Sequence, residues 1–278
     1  MNKDAIKKKY KEKIKLYKLY NKKYYSENIA KITDAKFDLL KKEIIEIEKK
    51  FDFLNDEDSP SKNVGYKPSK HFKKILHRAP MLSLANAFDE NDLVNFEKKI
   101  LNFISQKNNF KISYSAEPKI DGISASLSYK NGKFISGLSR GDGKEGEDIT
   151  RNLETIKDIP KNIVAKDFPD EIDIRGEVFI QNSDFKNLKN KFANPRNAAS
   201  GSLRQKNYED TRKIPLKFIA YTYGYEKGLN VDNQYEYLKK LNNWGFKTNP
   251  FNKLISGVKN LLINYDELEK KRSEIDFD

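Results

Sequence analysis

The feature that most restricts this chain is a change of hydrophobic period part-way along it. Upstream, Ile6, Tyr10, Ile14, Tyr17 and Tyr24 fall near one helical face, and Leu40, Ile44, Ile47 and Phe51 recur at spacings of four, three and four. Thr33 is placed to cap the second of these helices, so the start predicts a helical hairpin. From about Tyr114 the pattern shortens to strands. Residues 124–129 and 134–140 flank Lys130-Asn131-Gly132-Lys133, and Asn-Gly supplies the positive φ angles of a tight hairpin turn. Strands paired by hairpins and mixed with helices predict an α+β fold, not a parallel doubly wound sheet.

Further elements follow the same logic. Residues 93–103 form an amphipathic helix, and 147–156 suit a short one. Residues 172–180 read as a strand, 183–191 as a helix and 216–225 as a strand rich in Tyr and Phe. Residues 234–244 form a helix closed by Gly245, and 261–273 a last helix. Residues 55–70 are rich in Asp, Ser, Pro, Asn and Gly and read as a linker. The expected division is a helical unit over 1–72 and an α+β unit over 73–278.

The formal net charge is +13, from 54 Lys and Arg against 41 Asp and Glu. That excess suits a polyanionic partner, nucleic acid first, and equally a Lys-rich composition, so charge alone does not decide. Ten lysines between Lys3 and Lys23 read as a solvated helix face. The chain has no cysteine, hence no disulfide and no thiolate metal site. No apolar stretch approaches the roughly 20 residues that span a bilayer, and the basic start is followed by no apolar core. A cytoplasmic monomer that avoids membranes is expected.

Glu117-Pro118-Lys119-Ile120-Asp121-Gly122 carries the chemistry. If extended, it presents carboxylate, amine and carboxylate on one face. Such a row suits a polar pocket floor, where burial and nearby cations would free a lysine amine for attack on phosphorus. By itself it equally suits a salt-bridged edge strand, where Pro118 is tolerated. Gly141-Asp142-Gly143-Lys144-Glu145-Gly146 fits the spacing of a dinucleotide-binding loop. That reading fails because the preceding strand belongs to a hairpin, and Glu147 and Asp148 would repel a pyrophosphate at a following helix. His71 and His77 are the only histidines, which leaves little material for His-based catalysis.

Lys119-Ile120-Asp121-Gly122 matches the KxDG motif of covalent nucleotidyltransferases, and its surroundings resemble the bacterial NAD-dependent DNA ligases. The carrying blocks occur in order: 77–88 (HRAPMLSLANAF), 117–122, 139–150 (SRGDGKEGEDIT), 174–179 (IRGEVF) and 192–205 (FANPRNAASGSLRQ). The resemblance implies a small helical domain that docks nicotinamide, followed by a nucleotidyltransferase domain with antiparallel sheets and flanking helices. It implies that Lys119 attacks the α-phosphorus of NAD, releases nicotinamide mononucleotide and carries AMP, which then passes to the 5′-phosphate of nicked double-stranded DNA. Asp121 would assist catalysis. Glu117 would accept from the adenine amino group, Ser83, Leu84 and Ile120 would line the adenosine site, and Arg140 would pair with phosphate or ribose. Asp121 and Glu177 would lie by the ribose and the path of Mg²⁺. Arg196 and Arg204 would contact the nucleotide or the DNA backbone. Tyr24, Tyr25, Asp34 and Asp38 would meet the nicotinamide half. Tyr25 stands where His is usual and Phe37 where Tyr is usual, and Phe37 is expected to pack between helices.

The resemblance stops at Asp278, where the family's DGVVIK strand begins. Two phosphate-neutralising lysines, the OB-fold, the four-Cys zinc module, the helix-hairpin-helix region and the BRCT domain lie beyond that point in the family. The expectation is an N-terminal piece that self-adenylates poorly and does not seal nicks alone. The alternative is a catalytically impaired NAD- or DNA-binding remnant of a ligase.

Overall fold

The computed structural model describes residues 3–26, 34–62, 72–105, 110–189 and 191–278, with the side chains of 22–26, 34 and 35 left out. The elements in order are α1 (Lys3–Ser26), α2 (Asp34–Lys50), β1 (Lys74–Leu76), α3 (Glu90–Phe103), β2 (Ser113–Ala116), β3 (Ile123–Lys130), β4 (Lys133–Ser139), β5 (Glu145–Glu147), α4 (Thr150–Leu153), β6 (Glu171–Phe179), α5 (Asn182–Phe185), α6 (Pro195–Leu203), α7 (Tyr208–Arg212), β7 (Lys217–Lys227), α8 (Gln234–Asn243), β8 (Lys253–Ser256) and α9 (Val258–Lys271). Every strand pairing is antiparallel, so the fold is α+β as expected.

Helices α1 and α2 form the hairpin. Tyr10, Ile14, Tyr17, Phe37, Leu40 and Ile44 are buried between them, and Phe37 stacks on Tyr17 at 5.4 Å. Phe37 is therefore a packing residue. The proposed cap Thr33 lies outside the described residues.

The central sheet has the order β4-β3-β6-β7. Its first hairpin turns at Asn131 (φ 48°) and Gly132 (φ 73°), the two positive angles that Asn-Gly supplies. Alternation then sorts the strands. Ala125, Leu127 and Tyr129 of β3 sit across from Gly176, Ile174 and Ile172 of β6. With Phe218, Ala220, Tyr237, Trp244 and Phe246 they make the main core. The opposite face carries Ser124, Ser126, Ser128 and Lys130, opposed in register by Glu177, Arg175, Asp173 and Glu171.

Two helix predictions need correction, and one helix was not anticipated. Residues 145–147 are β5, which pairs with β1, and the helix that follows spans only Thr150–Leu153. Backbone pairing and the Ser139 hydroxyl, which accepts from the Glu147 amide at 3.0 Å, hold that segment extended. The helix expected over 183–191 is confined to Asn182–Phe185 and runs on in turns. Residues 192–205 contain α6, which starts at the Asn194 cap and Pro195. Among the described residues no helix is long and apolar enough to cross a membrane.

Candidate active site

Of the residues singled out from the sequence, Lys119, Asp121, Glu177 and Arg196 come together beside Ser124 on the sheet's polar face. Residues 117–122 are a loop joining β2 to β3, not a strand, so the alternate-face picture of Glu117, Lys119 and Asp121 does not apply. The loop is held at several points. Ile120 is buried with Phe179 and Ile219, with Phe277 packed against them. Asn249 Nδ2 donates to the Pro118 carbonyl at 3.3 Å, and the Asp121 amide donates to the Asp278 carbonyl at 2.7 Å. Gly122 lets the loop press on β6, since a Cβ there would lie 2.3 Å from the Val178 carbonyl oxygen. Ile120 is thus an anchor beneath the loop, and Lys119 is left exposed at its crest.

Glu177 is the buried acid of the site. Burial pushes its carboxyl from the ordinary 4.5 up to about 7, opposed by Arg196, the Ser124 hydroxyl and Lys119 and reinforced by Asp121. Ser124 Oγ donates to Glu177 Oε2 at 2.8 Å, across the β3–β6 register. The Tyr221 hydroxyl lies in the same group, raised by burial and by Glu177 and countered by Ser124, Arg140 and Arg175. Asp121 is bonded to Arg196 of α6, which the Asn194 cap and Pro195 present at the helix's first turn. Arg204, at the other end of α6, pairs at 3.0 Å with Glu147, which is fully buried. These two arginines thus engage carboxylates of the chain itself.

Residues 77–81 begin an irregular arm that follows β1. Their path over the sheet is fixed by two arginines. Arg78 Nε meets Asp173 at 3.0 Å and its Nη1 meets Glu171 at 2.7 Å, with the guanidinium 4.2 Å from the Tyr225 ring centre. Arg175 donates to the carbonyls of Ala79 and Pro80. The Met81 amide donates to the Gly143 carbonyl at 2.8 Å, and His77 Nε2 to the Arg140 carbonyl at 3.1 Å. Burial lowers the His77 pKa, which suits this neutral role. The arm so held brings Ser83 Oγ to Arg140 Nη2 at 2.9 Å. Leu84 beside it is exposed. Arg140 Nε is buried with no hydrogen-bond partner among the described residues, a donor that an anionic or hydroxyl-bearing substrate would satisfy.

Glu117 accepts from Ser115 Oγ at 2.9 Å and from Gln234 Nε2 at 3.0 Å. Burial raises its pKa, and both donors oppose that rise. Gly141 to Lys144 is a turn from β4 directly into strand β5, so the turn does not open a helix whose N-terminus could bind phosphate. Among the described residues no cluster of three or more His, Asp or Glu side chains is arranged to hold a metal.

On the hairpin, Asp38 makes a 3.5 Å ion pair with Lys41. The side chains of Tyr24, Tyr25 and Asp34 lie outside the described residues. Ser124, Arg78, Arg175, Tyr221 and Gln234 were not singled out from the sequence. The alternating serines of β3 were the available signal for the first. The other four matter only once the register and the α8 N-terminus are known.

Residues 69–278 match the family model of the NAD-dependent DNA ligase adenylation domain, and residues 3–65 that of the DNA ligase-like, N-terminal NAD+-binding domain. The chain is 64% identical over 278 residues to a DNA ligase of Pelagibacter ubique (strain HTCC1062), covering 100% of this chain and 41% of that protein. It is 42% identical over 267 residues to a DNA ligase of Parvibaculum lavamentivorans (strain DS-1 / DSM 13023 / NCIMB 13966), covering 93% and 38%. It is 43% identical over 263 residues to one of Bradyrhizobium sp. (strain ORS 278), covering 92% and 37%. The chain therefore spans well under half the length of these relatives.

Proposed function

The chain belongs to the NAD-dependent DNA ligase adenylation family, and from that premise we propose that it performs the first step of NAD-dependent DNA joining, transfer of AMP from NAD to Lys119. The lysine amine forms the P–N bond to the α-phosphorus. The pyrophosphate P–O bond breaks and its electron pair leaves with nicotinamide mononucleotide, while the amine gives up its proton. The observation that carries this reading is the exposed Lys119 on a loop pinned from below, beside buried Glu177 and within reach of the Arg196–Asp121 pair. Catalysis of phosphoryl transfer rests mainly on such positioning and on charge.

Arg140 and Ser83 would hold the ribose or phosphate, Glu117 the adenine amino group, and Leu84 the apolar side of the nucleoside. Glu177 and Asp121 would face the ribose. Magnesium would be held by these two carboxylates together with phosphate oxygens and water, as this ion prefers, and would draw charge from the phosphates. Arg196 and Arg204 would contact the nucleotide or the DNA backbone by exchanging a carboxylate partner for phosphate. Residues 1–72 would form a unit that docks the nicotinamide half through Tyr24, Tyr25, Asp34 and Asp38, with 73–278 as the adenylation unit. AMP would then pass to the 5′-phosphate of a nick in cytoplasmic DNA, and the monomer would suffice for the first step.

Intact mass after incubation with NAD and Mg²⁺ tests this. A gain of one AMP, lost in Lys119→Ala, is expected. NAD binding without any mass gain would instead favour the non-catalytic remnant, and a gain with ATP alone would remove NAD as the donor.

A further inference from the structure

Both hydrogen bonds that Glu117 receives among the described residues fall on the same oxygen, Oε1. Ser115 Oγ donates from 2.9 Å and Gln234 Nε2 from 3.0 Å. Gln234 Nε2 also donates to the Tyr221 carbonyl at 2.6 Å. The Tyr221 carbonyl can only accept, so it fixes which end of the Gln234 amide is the nitrogen. Gln234 is the first residue of α8, fixed by the Asn233 cap, which accepts from the Glu236 amide at 2.9 Å. A rigid helix start therefore dictates which Glu117 oxygen is occupied. Oε2 remains for a ligand.

What Oε2 selects depends on whether Glu117 accepts or donates. A carboxylate only accepts, whereas a carboxylic acid can donate. A 6-amino purine offers a donor at that position, and a 6-oxo purine offers an acceptor. We propose that Gln234, assisted by Ser115, makes this site select 6-amino over 6-oxo purines by holding Glu117 as an acceptor with one oxygen free. The inference rests on the reading of Glu117 as the group that meets the base. The direction of the titration agrees: burial raises Glu117, and Gln234 and then Ser115 bring it down. Gln234 acts through Glu117 and is a positioning residue.

The test compares AMP with IMP binding to the full chain, and lysyl-nucleotide formation from NAD with that from its hypoxanthine analogue, in the parent, Gln234→Leu and Ser115→Ala. The parent is expected to prefer the amino form. Gln234→Leu should lower that preference about tenfold, the scale of losing one hydrogen bond to a charged group, with much of the change in better use of the oxo form. Ser115→Ala, which leaves α8 untouched, should lower it less. Equal weakening of both nucleotides in the two variants, with an unchanged ratio, would mean that Gln234 only supports the fold and would overturn the inference. If the parent forms lysyl-AMP yet shows no base preference, the inference falls while the adenylation reading stands. If the parent binds neither nucleotide, both fall.

Discussion

The two faces of the β4-β3-β6-β7 sheet are made by the same strands and do opposite work. On one face Ala125, Leu127, Tyr129, Ile172 and Ile174 are buried against aromatic residues of β7, α8 and the segment after α8. On the other, one residue out of step, Ser124 meets Glu177 at 2.8 Å and Ser128 meets Asp173 at 2.6 Å. Lys130 meets Glu171 at 3.3 Å, closing the ladder. The apolar face is stabilised by area removed from water, a term that carries no titrating group. The polar face buries acids that are satisfied by hydroxyls and arginines, and its energetics depend on which of them is ionised. A strand's period of two thus separates stability from chemistry within a single β3–β6 pairing.

Leu127→Ala breaks the comparison on the apolar side and should have the largest effect on stability. Leu127 is fully buried opposite Ile174. Truncation should cost about 3 kcal/mol of unfolding free energy, from lost transfer energy plus the cavity. Urea unfolding at pH 5 and at pH 8 should return the same loss. A loss that changed with pH would show that this face is coupled to the acids behind it.

The apolar side was also the more legible in the sequence. Alternation over 124–129 and 172–180, with the Asn131-Gly132 turn between β3 and β4, was enough to anticipate three of the four central strands, and the Tyr- and Phe-rich run over 216–225 supplied the fourth. Short elements escaped. β1, β2, β5 and β8 are three or four residues long and are set by their partners far along the chain, as in the pairing of Ser113 with Ser256. The residues on the polar face were named through motif blocks, and the arrangement there was not foreseeable. Nothing in residues 77–80 says that Arg78 will reach Asp173, or that Arg175 will hold two carbonyls of the arm. For the loop at Lys119, the charged residues at alternate positions 117, 119 and 121 suit an extended strand, and nothing local reveals that Ile120 turns inward. In the structure that side chain is an anchor under a bend.

Glu177→Gln sharpens the comparison on the polar side. The folded-state pKa of Glu177 is raised from 4.5 to about 7. The folded chain therefore keeps a proton that the unfolded chain releases, so stability contributed at this position falls as pH rises from 4.5 to about 7 and is level above that. Gln carries no such dependence. The variant should gain roughly 2 kcal/mol on the parent between pH 5 and pH 8, the scale of a shift of this size less relaxation. Urea unfolding of both proteins at the two pH values reads this directly. A constant difference would mean that Glu177 is ionised across the range. Lysyl-AMP formation by the same variant should drop steeply if Glu177 has the proposed place by the ribose and magnesium, because its charge is gone.

Arg78→Ala should have the smallest effect on the fold and a selective one on the site. The Arg78 side chain is about a third exposed, so its ion pairs with Asp173 and Glu171 are partly screened. Asp173 keeps its bond from Ser128, and the expected stability loss is about 1 kcal/mol. The arm, however, loses one of the two arginines that fix residues 77–81, while Arg175 still holds the carbonyls of Ala79 and Pro80. Ser83 and Arg140 would then meet less often. On the proposed assignment, in which the arm would touch the nucleoside and not the reacting phosphorus, the consequence should be a several-fold rise in the NAD concentration for half-maximal lysyl-AMP formation, with the limiting rate little changed. A fall in the limiting rate at unchanged half-saturation would place Arg78 in communication with Lys119 and dissolve the distinction between the arm-bearing part of the polar face and the part beside Lys119.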